Sequence, residues 1–130
     1  MNFNFKEFKR FEKQIILKKI GIQGQKKIKK AKILIIGMGG LGCPLLTYLA
    51  ASGIGHVGII DSDKVEISNL NRQILFNSND LNKYKVIKAK AQVKKIYKNI
   101  KIKAFKSRLT FKNIRSILKS YEIICDGTDN

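Results

Sequence analysis

A glycine cluster that follows a run of branched apolar residues constrains the fold more than any other stretch of this 130-residue chain. Residues 33–36 are predicted to form a strand buried on both faces, as parallel strands are. Gly37, Gly39 and Gly42 follow in the G-x-G-x-x-G spacing, and Pro44 is tolerated in a first helical turn. Strand, tight turn and helix in this order predict a nucleotide phosphate site, because a helix N-terminus presents unpaired N–H groups to an anion. The motif alone does not identify the nucleotide.

A second predicted strand and an acidic residue complete a βαβ unit. The helix after the glycine loop is predicted to end near Ser52, and Gly53 marks the turn into a strand over residues 57–60. Asp61 follows that strand, about 20 positions beyond the glycines, where a carboxylate accepts both ribose hydroxyls of a nucleotide. A nicotinamide dehydrogenase and an ATP-dependent enzyme both fit this unit.

The polar stretch over residues 61–73 favours ATP. An enzyme that splits ATP between its α and β phosphates needs cations and donors there, because negative charge moves onto the departing pyrophosphate. Arg72 offers a bidentate fork and Asn69 a neutral donor. The structural alternative is that Asp61 and Asn69 cap short turns while Arg72 pairs with Glu66.

The remaining periodicity predicts an α/β fold: a Rossmann-like, mostly parallel sheet of about four strands, with helices on both faces and an N-terminal helix before it. At this length we expect one domain. The other predicted elements are a helix over 7–20 ended by Gly21 and Gly24, a helical turn over 26–32, a helix over 84–98, a strand over 101–105, a helix capped by Thr110 and a strand over 121–125.

Several segments of the chain match one known pattern. The most specific is S-N-L-N-R-Q over residues 68–73, and the others are Gln14–Leu17, Gly37–Pro44, Asp61-x-Asp63-x-Val65, Lys85 and Asp126–Asn130. On these residues, which span about 8–130, the chain resembles the ThiF/MoeB/HesA adenylyltransferases, relatives of the adenylation domains of ubiquitin-activating enzymes. The resemblance implies that ATP and Mg²⁺ serve to adenylate the C-terminal glycine of a ubiquitin-like sulfur carrier protein (ThiS- or MoaD-like), for thiamin or molybdopterin synthesis.

The resemblance also implies a role for each matching residue. The attacking carboxylate is already ionised, so the expected catalysis is placement and charge stabilisation without a base. The implied catalytic residues are Arg72, Lys85 and Asp129. The implied contacts are Gly39 and Gly40 to the ATP phosphates, Asp61 to the ribose, Asn69, Arg72 and Lys85 to the triphosphate, and Asp129 to Mg²⁺.

The chain departs from the family pattern at two positions. Lys13 stands where members commonly carry an Arg that reaches across a homodimer to the partner's ATP, and Lys keeps the charge without the planar fork. Asn82 stands where a glycine often precedes the phosphate-binding Lys by three residues, so an altered loop is expected.

We expect residues 1–130 to be the N-terminal part of a single ATP-binding adenylyltransferase domain. The C-terminal part, which in the family includes the remaining sheet, the carrier-binding surface and often four zinc-binding cysteines, is expected to be missing from this chain. An incomplete or split adenylyltransferase is therefore the leading hypothesis. The alternatives are a non-catalytic ATP-binding module, a degenerate gene product, a relative of tRNA-base dehydratases and an NAD-dependent oxidoreductase.

Charge and cysteine content add limits. The net charge of +18 comes almost wholly from lysines spread along the chain, so we expect solvated surfaces, salt-sensitive affinity for polyanions and no specific nucleic acid. No apolar run has the length of a membrane span and no signal peptide is present, so the expected location is the cytoplasm. Cys43 and Cys125 are expected to act as small apolar residues, and His56, the single histidine, is expected to be neither ligand nor base.

Overall fold

A four-stranded parallel sheet forms the centre of the computed structural model, which describes residues 3–129. Its strands lie in the order β3-β2-β1-β4, and the branched residues of β1 explain the central position of that strand, because Leu34 and Ile35 have no exposed surface. Ile36 pairs with Ile60 on one side and with Asp126 on the other. All carboxyl ends therefore meet at one edge. The strands are β1 (Lys32–Ile36), β2 (His56–Ile60), β3 (Lys101–Phe105) and β4 (Ile123–Asp126).

Helices cover both faces of the sheet. The larger core joins the Ile33, Ile35 and Val57 face of the sheet to α1, α3 and α4, while a smaller core on the other face joins Leu34 to Ile117 of α5. The chain runs outward from β1 to β3 and then returns to β4, so the connections diverge between β1 and β4. The helices are α1 (Phe5–Ile15), α2 (Gly21–Lys30), α3 (Gly42–Ala51), α4 (Lys85–Ile96) and α5 (Ile114–Leu118).

The predicted α/β architecture is confirmed, and the strand over 101–105 has the predicted bounds. α4 has 12 residues. Within the described part of the chain, no helix combines the length and apolarity that crossing a bilayer requires.

The prediction that Gly21 and Gly24 break the first helix was wrong in detail. α1 ends at Ile15, and α2 begins at Gly21 and contains Gly24. The reason is tertiary: Gln25, which is fully buried, accepts a hydrogen bond from Gln14 and donates one to the Ser52 carbonyl, both 2.8 Å long. These bonds hold α2 against α1 and α3, and packing of this kind overrides the weak helix propensity of glycine.

The basic segment 26–32, predicted as a helical turn, is helical up to Lys30. Its lysines up to Lys30 form the C-terminal half of α2, where the helix dipole favours cations, and Lys32 already belongs to β1.

Thr110 does not cap α5 as predicted. The N-cap residue is Asn113. Thr110 begins the turn that leads into α5: its N–H donates to Asn113 Oδ1 over 2.7 Å, and its carbonyl accepts the Ile114 N–H over 2.9 Å. Phe111, the residue after Thr110, lies before α5 and is fully exposed. α5 is therefore only five residues long.

The close approach of α3 to the glycine loop predicts a severe effect for Gly42→Ala. A Cβ on Gly42 would lie 1.9 Å from the Gly37 carbonyl oxygen, so helix and loop would have to separate. We expect a loss of about 3 kcal/mol or more in the free energy of unfolding, measured by urea titration. Gly39→Ala is the matched control, since its Cβ would meet only Gln73 Nε2 at 3.6 Å, and a change beyond about 1 kcal/mol there would contradict the account.

The Glu7–Lys29 ion pair predicts a loss of stability in acid. Burial alone raises the pKa of the Glu7 carboxyl, but hydrogen bonds from Lys29 and the Asn4 N–H, together with the Lys29 charge, bring it below its ordinary value of 4.5. Folding therefore gains from this group above about pH 4.5 and loses the gain as the pH falls through the lowered pKa. Urea titrations should find Glu7→Gln less stable than wild type at pH 7, with the gap closing in acid. Glu12→Gln, which alters only the exposed pair with Lys9, should not change the pH dependence.

Candidate functional site

A cavity of about 980 Å³ opens at the carboxyl edge of the sheet, where the connections from β1 and β4 diverge. Open α/β sheets bind ligands at this position. Loops after all four strands line it. It brings together every site residue that the sequence predicted: Gly39, Gly40, Asp61, Asn69, Arg72, Lys85 and Asp129.

The glycine loop lines the cavity with backbone, and the Gly127 backbone and the Arg72 side chain pack closely against its glycines. Gly37 has φ +92°, a conformation that favours glycine, and its N–H donates to the Ile60 carbonyl over 2.9 Å. A Cβ on Gly37 would lie 3.3 Å from the Gly127 carbonyl. A Cβ on Gly40 would lie 3.4 Å from Arg72 Cδ. The loops after β1 and β4 therefore pack against each other beside a backbone surface without side chains.

Asp61 ties the end of β2 to this loop. Its Oδ2 accepts the Met38 N–H over 2.8 Å, and its Oδ1 accepts the Asp63 N–H over 2.7 Å. A carboxylate has about four acceptor positions, so each oxygen retains capacity for a hydroxyl donor. Asp61 therefore caps a turn, as the alternative held, and its carboxylate also lines the cavity.

Asn69 and Arg72 are held by a short turn after β2. Asn69 is buried and its Oδ1 accepts the Glu66 N–H over 2.9 Å, which leaves its NH₂ group as the donor. Arg72 Nη1 donates to the Ser68 carbonyl and to Asn71 Oδ1, each over 3.0 Å. The alternative pairing of Arg72 with Glu66 was wrong, since no ion pair among residues 3–129 includes either residue. The other N–H groups of the guanidinium remain as donors.

Lys85 is a buried cation without a carboxylate partner in the described part of the chain. It is the first residue of α4, only 6% exposed, and its N–H donates to the Asp63 carbonyl over 3.0 Å. None of the ion pairs among residues 3–129 includes it. Because proteins rarely bury a lysine unpaired, this amine at the cavity wall indicates an anionic ligand.

At Asn82, the loop that leads to Lys85 has a backbone conformation typical of glycine. Asn82 has φ +65°, the left-handed conformation that glycine favours and that Asn tolerates best among other residues. Its N–H donates to the Val65 carbonyl, and the Val65 N–H donates to the Lys83 carbonyl. The loop thus has the geometry that a glycine would allow.

Carboxylates lie at the end of β4 and in the loop that follows it. Asp126 Oδ1 accepts from the Thr128 N–H and from Thr128 Oγ1, over 3.0 and 2.6 Å, and these bonds lower the pKa of Asp126. Asp129 is exposed and lines the cavity. Asn130, which ends the matching motif, lies outside the described residues.

The structure adds residues that the sequence prediction did not assign to the site. Ser107–Thr110, the loop after β3, line the cavity and include Arg108. Parallel strands end at one edge, so this loop was predictable from the predicted strand. Gln73 is 3% exposed, and its Oε1 is the only buried side-chain oxygen or nitrogen in residues 3–129 without a hydrogen-bond partner. Only the folded structure reveals that orphaned acceptor.

Three further residues lie away from the cavity lining. Cys43 is fully buried, and burial raises the pKa of its thiol to about 11, so it stays a thiol and packs as an apolar group, as predicted. His56 begins β2, at the opposite edge of the sheet. Lys13 is on the exposed side of α1 and does not line the cavity of its own chain, so the predicted contact across a dimer stays a prediction.

Comparisons with known proteins agree with this architecture. A model of the ThiF family matches residues 11–130. The chain is 44% identical over 128 residues to a probable molybdopterin-synthase adenylyltransferase of Porphyra purpurea, covering 98% of this chain and 34% of that protein. It is 37% identical over 130 residues to a sulfur carrier protein adenylyltransferase of Thermus thermophilus, covering 100% and 48%. The chain thus spans less than half the length of these curated relatives.

A solved structure shows the same fold. The E. coli tRNA N6-threonylcarbamoyladenosine dehydratase TcdA, in complex with AMP, superposes with a TM-score of 0.92 at 24% identity. The match covers 100% of this chain and 52% of that one. At this identity the likeness establishes the architecture alone.

The two hydrogen bonds of Asp61 predict a loosened glycine loop in Asp61→Ala. Each bond to a charged acceptor contributes about 1.5–3 kcal/mol, so amide exchange at Met38 and Asp63 should quicken about ten- to hundredfold. Hydrogen–deuterium exchange at single-residue resolution measures this. Asp63→Ala removes a neighbouring carboxylate while leaving the bonds to Asp61 intact, and equal acceleration at Met38 in that variant would contradict the assignment.

Proposed function

The chain belongs to the ThiF family, and from that premise we propose that its cavity binds ATP for the adenylation of the C-terminal glycine of a ubiquitin-like sulfur carrier protein. The named relatives are adenylyltransferases, one for a sulfur carrier protein and one for molybdopterin synthase. The carrier would be ThiS- or MoaD-like, in thiamin or molybdopterin synthesis, and the reaction would take place in the cytoplasm.

The observation that carries the proposal is Lys85, a largely buried residue that meets no carboxylate in the described chain and lines the cavity beside a backbone surface of glycines. A polyphosphate supplies the negative charge that Lys85 lacks in the described chain, and the N–H groups near Gly39 and Gly40 suit phosphate oxygens. Asp61 supplies the acceptor for ribose hydroxyls. The fit of ATP thus rests on donors and acceptors that already line one cavity.

The proposed reaction uses the chain mainly to place and neutralise charge. An oxygen of the carrier's terminal carboxylate bonds to the α-phosphorus of ATP, the bond from that phosphorus to the bridging oxygen breaks, and pyrophosphate leaves with the electron pair. Arg72 and Lys85 stabilise the charge that accumulates on the leaving group, and Asn69 donates to the same oxygens. The carboxylate attacks in its ionised form, so no residue takes a proton.

Asp129 is the proposed magnesium ligand. Mg²⁺ is bound in such sites by one or two carboxylates together with phosphates and water, which suits an exposed carboxylate at a cavity wall. No group of three or more His, Cys, Asp or Glu side chains within residues 3–129 could hold a metal by itself, and a site shared with phosphates requires none. When bound, Mg²⁺ would neutralise phosphate charge.

We propose that the full reaction needs more than residues 1–130, since the chain covers less than half the length of these two relatives. We propose that these residues form the N-terminal part of one ATP-binding domain, which pairs as a homodimer when complete. A non-catalytic ATP-binding module is the second candidate, because more than half the length of the adenylyltransferase relatives lies outside the matched region.

Exchange of labelled pyrophosphate into ATP tests the proposal. The chain would be assayed alone and fused to the segment that follows the matched region in the Porphyra purpurea relative, with a carrier protein ending in Gly-Gly. We expect carrier-dependent exchange in the fusion and its loss in the fusion carrying Asp129→Ala. A fusion that binds ATP without exchange would identify a binding module, and normal exchange in the Asp129→Ala fusion would remove Asp129 from the mechanism.

Arg72→Ala is predicted to weaken ATP binding by the chain about ten- to hundredfold, because a charge-assisted phosphate contact contributes about 1.5–3 kcal/mol. Isothermal titration calorimetry measures the change. Arg115→Ala removes the same charge from α5, outside the cavity, and should leave the affinity within about twofold of wild type. Equal weakening in both variants would reduce the effect to overall charge.

A further inference from the structure

A second cavity lies at the amino edge of the sheet, opposite the proposed ATP site. It has a volume of about 270 Å³ and is lined by residues of β1, β2 and β3 and by the segment before β4. We call it the basal pocket. Its polar lining residues are Lys32, His56, Lys101, Lys103, Ser120 and Tyr121.

The strand register arranges the cations of the basal pocket in a row. Lys32 pairs with His56, and His56 pairs with Lys101, on three adjacent parallel strands. Residues in register project from the same face of a sheet, with neighbouring strands about 4.8 Å apart. Lys103 follows two positions after Lys101 and so projects from that face too. The imidazole of His56 therefore lies between two lysines.

Tyr121 forms the wall of the pocket. A Cβ on Gly58 would lie 2.3 Å from the Tyr121 hydroxyl oxygen and 2.4 Å from Cζ, so the phenol rests directly on the backbone of β2. Burial raises the pKa of Tyr121, which keeps the group a neutral hydroxyl and a hydrogen-bond donor. Ser120 adds a second hydroxyl. Gly58 is the residue that allows this hydroxyl wall to stand beside the lysines.

The positive charge of the basal pocket is not balanced by the described part of the chain. No carboxylate lines it, and no ion pair among residues 3–129 includes Lys32, Lys101 or Lys103. The Lys103 ammonium lies over the Phe105 ring, 5.1 Å from its centroid, which leaves its charge intact. Burial lowers the pKa of His56, and the positive charges of Lys101 and Lys32 lower it further.

We propose that the basal pocket binds an anion that carries a diphosphate group. The two outer lysines of the row are separated by two strand spacings, roughly 10 Å, which suits two linked phosphates better than one. The hydroxyls of Ser120 and Tyr121 donate to the oxygens between them. The inference rests on this pocket alone and does not depend on ATP binding at the opposite edge.

His56 is the reporter for the test, because it is the only histidine of the chain. Its imidazole ¹H–¹³C NMR signals would be followed while inorganic pyrophosphate is added at constant ionic strength. His56 lies four residues from the end of β2, roughly 13 Å from the cavity at the other edge, so pyrophosphate bound there leaves its signals largely unchanged. We expect saturable shifts and a rise in the pKa of His56, since an anion beside it favours the imidazolium.

Matched lysine variants separate a site from general charge. Lys32→Gln/Lys101→Gln should weaken the pyrophosphate response of His56 at least tenfold, while Lys90→Gln/Lys95→Gln, which removes two exposed charges from α4, should leave it unchanged. Lys101→Gln alone serves if the double variant does not fold, as judged by circular dichroism. Methyl diphosphate would be titrated in the same way. Tighter binding than that of pyrophosphate identifies the ligand as a diphosphate ester, and equal or weaker binding identifies it as free pyrophosphate. The proposal is overturned if His56 shows no saturable shift or if both double variants weaken the response equally.

Discussion

The pair of hydrogen bonds accepted by Asp61 is the contact on which the proposed site depends. Through the Met38 N–H it joins the end of β2 to the glycine loop after β1, and through the Asp63 N–H it begins the segment that leads to Lys85. One carboxylate thus sets the relative positions of the backbone surface and the buried cation. The loop after β4 packs on the same glycines, through Gly127, and completes the cavity.

Electrostatic imbalance at the cavity follows from this arrangement. Lys85 is a buried residue at the start of α4, and the turn after β2 holds the Arg72 side chain. Neither side chain pairs with a carboxylate within the described residues. Keeping Lys85 largely buried without a carboxylate partner costs stability, and an anionic ligand offsets that cost, whereas Arg72 is exposed to solvent. In the proposed function, both cations are in position before ATP binds, as stabilisation of a developing charge requires.

Prediction from sequence succeeded where the fold is determined locally. The branched residues of β1, the glycine loop and the acidic residue after β2 form a contiguous βαβ unit, and each of its parts has a short-range signal. It failed where distant contacts decide. α2 forms across two glycines because Gln25 is hydrogen-bonded to Gln14 and to the Ser52 carbonyl. Gln73 Oε1 is buried without a hydrogen-bond partner because of how the folded chain packs around it, so no local sequence pattern predicts this.

The central claim is that the cavity at the carboxyl edge is an ATP site, and a nucleotide titration of the ¹⁵N-labelled chain tests it most directly. Backbone amide spectra would be recorded while ATP with Mg²⁺, or NAD⁺, is added. The account predicts saturable shifts with ATP that concentrate at Gly39, Gly40 and the amides of residues 69–73 and 85, and a much weaker response to NAD⁺. Tighter binding of NAD⁺ than of ATP, or ATP shifts confined to residues outside this cavity, would contradict it.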